Sequence, residues 1–167
     1  MLLERNDINP NTADKYGRTP LSWGAECGYE KIVRMPLDRN DINPNTASND
    51  DRTPLSSAAE CGYEEIMRML LERNDVNPNT ADKDGRTPLS WAAMYGQEGM
   101  RILLERNDIN PNTASKDGRT PLSWAAGYGH EEMVRILLER SEVNPNTADK
   151  HNRTPLLWPR EISVKRS

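Results

Sequence analysis

The sequence predicts an all-α repeat protein, a solenoid of stacked helix–turn–helix units joined by finger-like loops. The first observation behind this prediction is the tripeptide Thr-Pro-Leu, which recurs at intervals of 34, 34, 33 and 34 residues. It begins at Thr19, Thr53, Thr87, Thr120 and Thr154. The second observation is the segment Asn-Pro-Asn-Thr-Ala, which starts at Asn9 and returns four more times at the same intervals. Nearly every residue therefore belongs to one repeating pattern.

The third observation is a low apolar content. Only 35% of the 167 residues are hydrophobic, none is Phe, and the mean hydropathy is −0.88. No run approaches the ~18 apolar residues that a transmembrane helix needs, which excludes a membrane-spanning protein. A composition this polar is poor for one large core and, taken alone, is compatible with disorder. A stack of units resolves the conflict, because each unit buries only a thin apolar seam against its neighbours.

Residues 115–148 show how one unit is expected to fold. Thr120 suits an N-cap and Pro121 suits the first helical position, so a short helix is predicted to begin there. It ends near Gly129, since glycine readily takes the left-handed conformation that closes a helix. A second helix begins at His130, with apolar residues at helical spacing, acidic residues first and a basic residue near its end. A loop rich in Asn, Pro and Asp follows and leads into the next finger.

The pattern predicts one domain, a single array over residues 1–167. Four full units are predicted at 14–47, 48–81, 82–114 and 115–148, flanked by partial units at 1–13 and 149–167. Neither partial unit resembles the polar cap that closes a solenoid. We therefore interpret the chain as a segment of a longer array or as a truncated array with frayed ends.

The third unit carries a family resemblance. Residues 82–93 read Asp-Lys-Asp-Gly-Arg-Thr-Pro-Leu-Ser-Trp-Ala-Ala, and the second helix closes on Leu103 and Leu104. This pattern resembles the ankyrin repeat, over essentially the whole chain, and the polar connector is similar to that of fungal ankyrin arrays. The resemblance implies an ankyrin-type α-solenoid. The histidine that the family usually carries after Thr-Pro-Leu is serine here, and we expect its hydroxyl to keep a contact to the neighbouring loop. The serines are Ser22, Ser56, Ser90 and Ser123.

Some positions depart from the repeat. Pro36 replaces a second-helix leucine, which costs a hydrogen bond in a helix interior. The third unit is one residue short, and alignment on its closing leucines places Gly99 in an apolar slot. Asp51 and Asn152 replace a finger glycine, and both residue types tolerate the left-handed conformation. We expect marginal stability at Pro36, at Gly99 and at the two ends.

A row of tryptophans recurs in the first helices. They are Trp23, Trp91, Trp124 and Trp158, and Ser57 replaces the tryptophan of the second unit. We interpret these side chains as packing between adjacent first helices rather than as ligand contacts.

The sequence offers little for catalysis, and we predict a protein that is not an enzyme and binds no metal or cofactor. His130 occupies a structural position at a helix start, and His151 lies on a finger without a repeated acidic or nucleophilic partner. Cys27 and Cys61 occupy the same slot in adjacent units, which lie too far apart for a disulfide, so we expect two partly exposed free thiols. The net charge of −4 is finely interleaved in sign, which argues against nucleic acid as a partner.

Protein binding is the function that the resemblance implies. Ankyrin proteins present a concave face made of finger tips and the exposed side of the first helices. Carried over by position, the candidate contact residues are Lys15, Tyr16, Arg18, Glu26, Asn49, Asp50, Arg52, Glu60, Lys83, Asp84, Arg86, Met94, Tyr95, Lys116, Asp117, Arg119 and Tyr128. We expect Tyr95 and Tyr128 beside Met94 to form the apolar anchor, because aromatic residues dominate interface hot spots.

Two alternatives stay open. The charged tips could be a solvated, charge-balanced edge inherited by duplication, and the chain could be an architectural or regulatory spacer in a larger protein. An enzyme would require catalytic residues in sequence outside this chain. The expected setting is a monomer inside the cell, in the cytoplasm or, alternatively, the nucleus, bound to another protein and not to a membrane.

Overall fold

The computed structural model describes residues 9–157, which form consecutive pairs of short antiparallel helices. The helices are α1 Pro20–Cys27, α2 Glu30–Leu37, α3 Pro54–Cys61, α4 Glu64–Leu71, α5 Pro88–Tyr95, α6 Met100–Leu104, α7 Pro121–Tyr128 and α8 Glu131–Leu138, followed by a 3₁₀ turn at Pro155–Leu157. Each first helix of a pair contacts the first helix of the next, from α1 through α3 and α5 to α7. The predicted all-α repeat solenoid is confirmed. Trp158 lies outside the described residues.

Every first helix starts and stops on the predicted residues. The Thr19 hydroxyl accepts a hydrogen bond from the Ser22 backbone N–H at 3.2 Å, and Pro20 occupies the first helical position. The Ser22 hydroxyl lies 3.2 Å from the Thr19 hydroxyl. The serine therefore contacts the threonine that caps its own helix, and not a neighbouring loop as we expected. Gly28 closes α1 with a φ of 76°, a conformation that costs glycine little.

A thin apolar seam runs between the units. Each first helix contributes a leucine that is at most 1% exposed, and buried alanines let adjacent first helices approach closely. The second helices add buried leucines and methionines to the same seam. The fully buried leucines are Leu21, Leu55, Leu70, Leu89, Leu103, Leu122 and Leu137. Burying one such side chain contributes about 1.5–3 kcal/mol, so each unit depends on its neighbours for its core.

The missing residue of the third unit is absorbed by a shorter helix. Helix α6 has five residues where the other second helices have eight. Gly99 is buried in the apolar seam, where a Cβ atom would lie 2.7 Å from the Met67 sulfur. It is the N-cap of α6, and the next residue, Met100, is fully buried. This agrees with alignment on the closing leucines, which places Gly99 at the position of the buried Met133.

The two non-glycine finger turns adopt the conformation that we predicted. Asp51 and Asn152 both have a φ of 59°, close to the values of 77–79° at the equivalent glycines. The finger therefore keeps its backbone turn in every unit within residues 9–157.

An asparagine ladder joins the connectors of successive units. The Asn45 side-chain amide donates to the Asp75 carbonyl at 2.6 Å, and its oxygen accepts from the Asn77 backbone N–H at 2.8 Å. The same two bonds recur at each step of the stack, with distances of 2.6–2.8 Å. The side chains of this ladder are Asn11, Asn45, Asn79 and Asn112. Each therefore fixes the position of the next connector with one donor and one acceptor.

An arginine ladder runs beside it and caps the second helices. The Arg73 guanidinium donates at 2.8 Å to the carbonyl of Leu37, the last residue of α2, and also binds Asp75 through two nitrogens. Arg106 and Arg140 repeat this arrangement on the last carbonyls of α4 and α6. A cation at these carbonyls is favourable because they carry the negative end of the helix dipole. Each unit thus completes the helix of the unit before it.

The proline in α2 gives a stability prediction. Pro36 is buried in the last turn of α2, where it has no N–H to donate, and the equivalent Leu70 is fully buried. Pro36→Leu should restore a hydrogen bond and raise the free energy of unfolding by about 1–3 kcal/mol. Thermal denaturation followed by circular dichroism measures this, with Leu70→Pro as the reverse control that should destabilise. An unchanged melting curve for Pro36→Leu would contradict the prediction.

The asparagine ladder gives a second stability prediction. Asn79→Ala removes the bonds to the Asp108 carbonyl and the Asn110 N–H, and we expect it to lower the free energy of unfolding by about 1–3 kcal/mol. Asn74→Ala is the matched control, because Asn74 is an exposed asparagine of the same connector. Equal denaturant midpoints for the two variants would show that the ladder contributes nothing to stability.

Candidate binding surface

The fingers, residues 14–18, 48–52, 82–86, 115–119 and 149–153, stack edge to edge. The Asn49 backbone N–H donates to the Tyr16 carbonyl at 2.8 Å, and the bond recurs between each later pair of fingers at 2.8–3.1 Å. Within the first finger, the Asp14 carboxylate accepts from the backbone N–H groups of Tyr16 and Arg18 and from the Arg18 guanidinium. The finger tips are therefore held both internally and by their neighbours.

The charge state of the first finger follows from these bonds. Burial alone would raise the pKa of Asp14, but the hydrogen bonds from Arg18 and Tyr16 outweigh it and hold the pKa at about 2. The Asp14 carboxylate in turn raises the pKa of the Arg18 guanidinium. The first finger consequently carries a fixed ion pair at its base.

Arginine–tryptophan stacks join the fingers to the first helices. The Arg18 guanidinium carbon lies 4.6 Å from the Trp23 ring centre, and Arg119 lies 4.7 Å from that of Trp124. Trp91 lies beneath two guanidiniums, its own Arg86 at 4.2 Å and Arg52 of the preceding unit at 4.5 Å. The second unit has Ser57 in place of tryptophan, so Arg52 reaches forward to the next ring. Each stack is a cation–π contact of about 0.5–2 kcal/mol.

The tryptophans in turn support exposed tyrosines. Tyr95 stacks on Trp91 with ring centres 6.0 Å apart, and Tyr128 lies 6.2 Å from Trp124. Trp91 and Trp124 are only 5% and 8% exposed, in agreement with their predicted packing role, whereas Tyr95 and Tyr128 are about half exposed. Trp23 is 43% exposed and belongs to the accessible surface, which the sequence analysis missed. The recurrence of Arg five residues before each Trp could have predicted the Arg–Trp stacks, but not the exposure of Trp23, since buried Trp91 and Trp124 share the spacing.

The first two units present carboxylates where the later units present aromatic rings. Glu26 lies 3.4 Å from Arg18, and Glu60 is paired with Arg52. The pKa of Tyr95 is raised by burial and by the neighbouring Glu60 carboxylate. Glu60 thus links the acidic half of the surface to the aromatic half.

Most of the predicted contact residues share this surface, but Met94 does not. Its side chain is buried, at 7% exposed, and its carbonyl lies 2.9 Å from the His130 ring nitrogen. Its placement beside the tyrosines as part of an exposed anchor was wrong, because the last turn of α5 points it into the seam. Lys150 is a surface residue that we missed. Its ammonium lies 2.5 Å from Asp117, as the finger pattern of the partial unit could have shown.

We define the finger–helix surface by the finger tips, the Arg–Trp stacks and the last turns of the first helices. Its exposed residues outside the Arg–Trp stacks include Lys15, Tyr16, Glu26, Asn49, Asp50, Lys83, Asp84, Tyr95, Lys116, Tyr128 and Lys150, and its half-buried ones include Arg18, Arg52, Glu60, Arg86, Asp117 and Arg119.

Reactive groups occupy structural positions. His130 is the N-cap of α8, and its ring bridges to the end of α5 in the preceding unit. Cys27 and Cys61 are free thiols, as predicted, and burial together with Glu60 raises the pKa of the Cys61 thiol. Within residues 9–157 no three His, Cys, Asp or Glu side chains are grouped closely enough to hold a metal ion. The surface is equipped to contact other molecules through stacking, ion pairs and backbone groups.

The family model of ankyrin repeats, in three copies, matches residues 37–115 and 107–159. The chain belongs to the ankyrin-repeat family. Ankyrin repeats generally serve as protein–protein interaction modules and are typically not enzymes. No curated protein matches the chain. None of the helices between residues 9 and 157 is long and apolar enough to cross a membrane.

The Asp14 cluster gives a pH prediction. Its pKa is about 2 in the folded protein and about 3.9 in an unfolded chain, so the finger gains stability above pH ~4 and loses it as the pH falls through 2. An NMR titration of the Asp14 carboxyl carbon should give a midpoint near 2, and Arg18→Leu should move it towards 3.9. A wild-type midpoint near 3.9 would contradict the cluster.

Proposed function

We propose that this chain is a non-catalytic protein-interaction module that binds another protein through the finger–helix surface. The observation that carries this proposal is the pair Tyr95 and Tyr128, each about half exposed and each in contact with a buried tryptophan. Tyr95 is stacked on Trp91, and Tyr128 is tilted against Trp124. Rings held in this way lose little conformational freedom on binding, which favours them as anchors. Tyrosine is also among the residues most enriched at interface hot spots.

The charge pattern supports a partner of mixed character. Exposed Lys83 and Lys116 alternate with exposed Asp50 and Asp84 along the finger tips. Alternating signs favour one alignment of a complementary chain over its shifted alternatives, which gives specificity more than affinity. The interleaved net charge of −4 favours a protein over a nucleic acid as the partner.

The rest of the proposal concerns setting and assembly. A monomer is proposed. Two free thiols favour a reducing compartment inside the cell, the cytoplasm or the nucleus. The proposed array comprises the four full units at 14–47, 48–81, 82–114 and 115–148 with partial units on either side.

Affinity capture with three forms of the chain tests the proposal. The wild type should enrich at least one protein from a lysate of the source cells, and Tyr95→Ala/Tyr128→Ala should lose it. Each hot-spot truncation costs about 2 kcal/mol or more, which corresponds to roughly a 30-fold or larger loss of affinity per ring. Quantitative mass spectrometry of the captured proteins gives the readout.

The matched control is Ile32→Ala/Leu138→Ala, which removes two exposed apolar side chains from the second helices instead. It should retain the captured protein. Equal capture by the wild type and the tyrosine variant would place binding elsewhere, and no enrichment at all would favour the spacer alternative.

A further inference from the structure

A cleft lies between the first two fingers, directly over Ser57. Its volume is about 210 Å³. Tyr16 and Asp50 stand at its exposed rim, and its walls include Arg18 and Arg52. Buried Ser22 and exposed Glu26, both of the first helix α1, also line it.

The repeat shows what the same place holds elsewhere in the chain. The equivalent cleft, between the third and fourth fingers, has a volume of about 170 Å³ and contains Trp124 at the position of Ser57. Its other lining residues, such as Asp84, Arg86 and Ser115, are the exact repeat equivalents of Tyr16, Arg18 and Ser48. The cleft over Ser57 is larger and reaches α1 because the second unit has no indole to fill it.

Two guanidiniums line this cleft, and both contact aromatic rings of this chain. Arg18 lies 4.9 Å from the Tyr16 ring centre and 4.6 Å from that of Trp23, so its guanidinium already stacks on aromatic rings. Arg52 has no tryptophan in its own unit and lies over Trp91 instead. Ion pairs with Glu26 and Glu60 hold these two guanidiniums in place.

The lining also distinguishes an aromatic occupant from an aliphatic one. Guanidinium faces attract the electron-rich face of an aromatic ring, whereas an aliphatic side chain gains only contact area. The Ser57 hydroxyl and the exposed Glu26 carboxylate offer acceptors for an indole N–H. Indole is therefore the ring that matches both the shape left by the repeat and the polar groups of the wall.

We propose that the cleft over Ser57 binds an aromatic side chain, tryptophan above all, inserted by the protein partner into the place where the other units carry their own. This inference rests on the proposed function, since the partner supplies the ring. It names a second anchor point, at the acidic end of the finger–helix surface, distinct from Tyr95 and Tyr128.

An NMR titration tests the cleft without requiring the partner. N-acetyl-tryptophanamide is the probe, and N-acetyl-leucinamide is the aliphatic comparison. The wild type should show saturable amide shifts at Tyr16, Arg18 and Ser57, with a dissociation constant of about 1–10 mM, typical of one small fragment. The leucine probe should bind at least about tenfold more weakly.

Substitutions at Ser57 supply the matched controls. Ser57→Ala keeps the space and should retain the binding, whereas Ser57→Trp and Ser57→Phe fill the space and should abolish it. Melting curves confirm that each variant is folded, and the second filling variant serves if the first is not. Probe binding to a folded, filled variant with wild-type affinity, or equal binding of the leucine probe, would overturn the inference.

The same variants distinguish this inference from the proposed function. A partner captured by the wild type should be lost with Ser57→Trp and retained with Ser57→Ala. A partner that binds Ser57→Trp as tightly as the wild type would overturn the inference and leave the proposed function intact. The probe titration reads the cleft alone, so a failed capture experiment does not alter its result.

Discussion

The whole array depends on hydrogen bonds that cross from each unit to the next. No helix between residues 9 and 157 exceeds eight residues, a length that is unstable alone in water, and each unit has only a thin apolar seam. The asparagine and arginine ladders add directional bonds to that seam on one side, and the backbone bonds between fingers do so on the other. Stacking in one register is therefore imposed at the connectors and at the fingers as well as in the core.

This rigidity determines how the finger–helix surface is built. Buried Trp91 and Trp124 each contact a finger guanidinium and a tyrosine ring. An arginine, a tryptophan and a tyrosine are therefore packed together in each of these two units. Where the tryptophan is absent, the Arg52 guanidinium lies over Trp91 of the next unit. One substitution, serine at position 57, thus changes the partners of a neighbouring side chain and the shape of the surface around it.

Local features of the fold could be predicted from the sequence, and features that involve two units could not. The Thr120 cap, Pro121 and Gly129 act within a few residues, and the left-handed turns at Asp51 and Asn152 follow from residue type alone. The burial of Met94 and the direction of Arg52 depend on what the adjacent unit places beside them. The asparagine ladder was visible as a recurring motif, but its bonds of 2.6–2.8 Å join residues about 30 positions apart, a pairing that only the stacked structure supplies.

The atoms that receive the ladder bonds have a consequence for how such an array changes over generations. Arg73 and Asn45 bind main-chain carbonyls, those of Leu37 and Asp75, rather than particular side chains. Every residue has a main-chain carbonyl, so these hydrogen bonds do not depend on which side chain the neighbouring unit carries at that position. Duplication, loss or exchange of a unit therefore preserves the hydrogen bonds between units, while the exposed rings and charges are free to diversify.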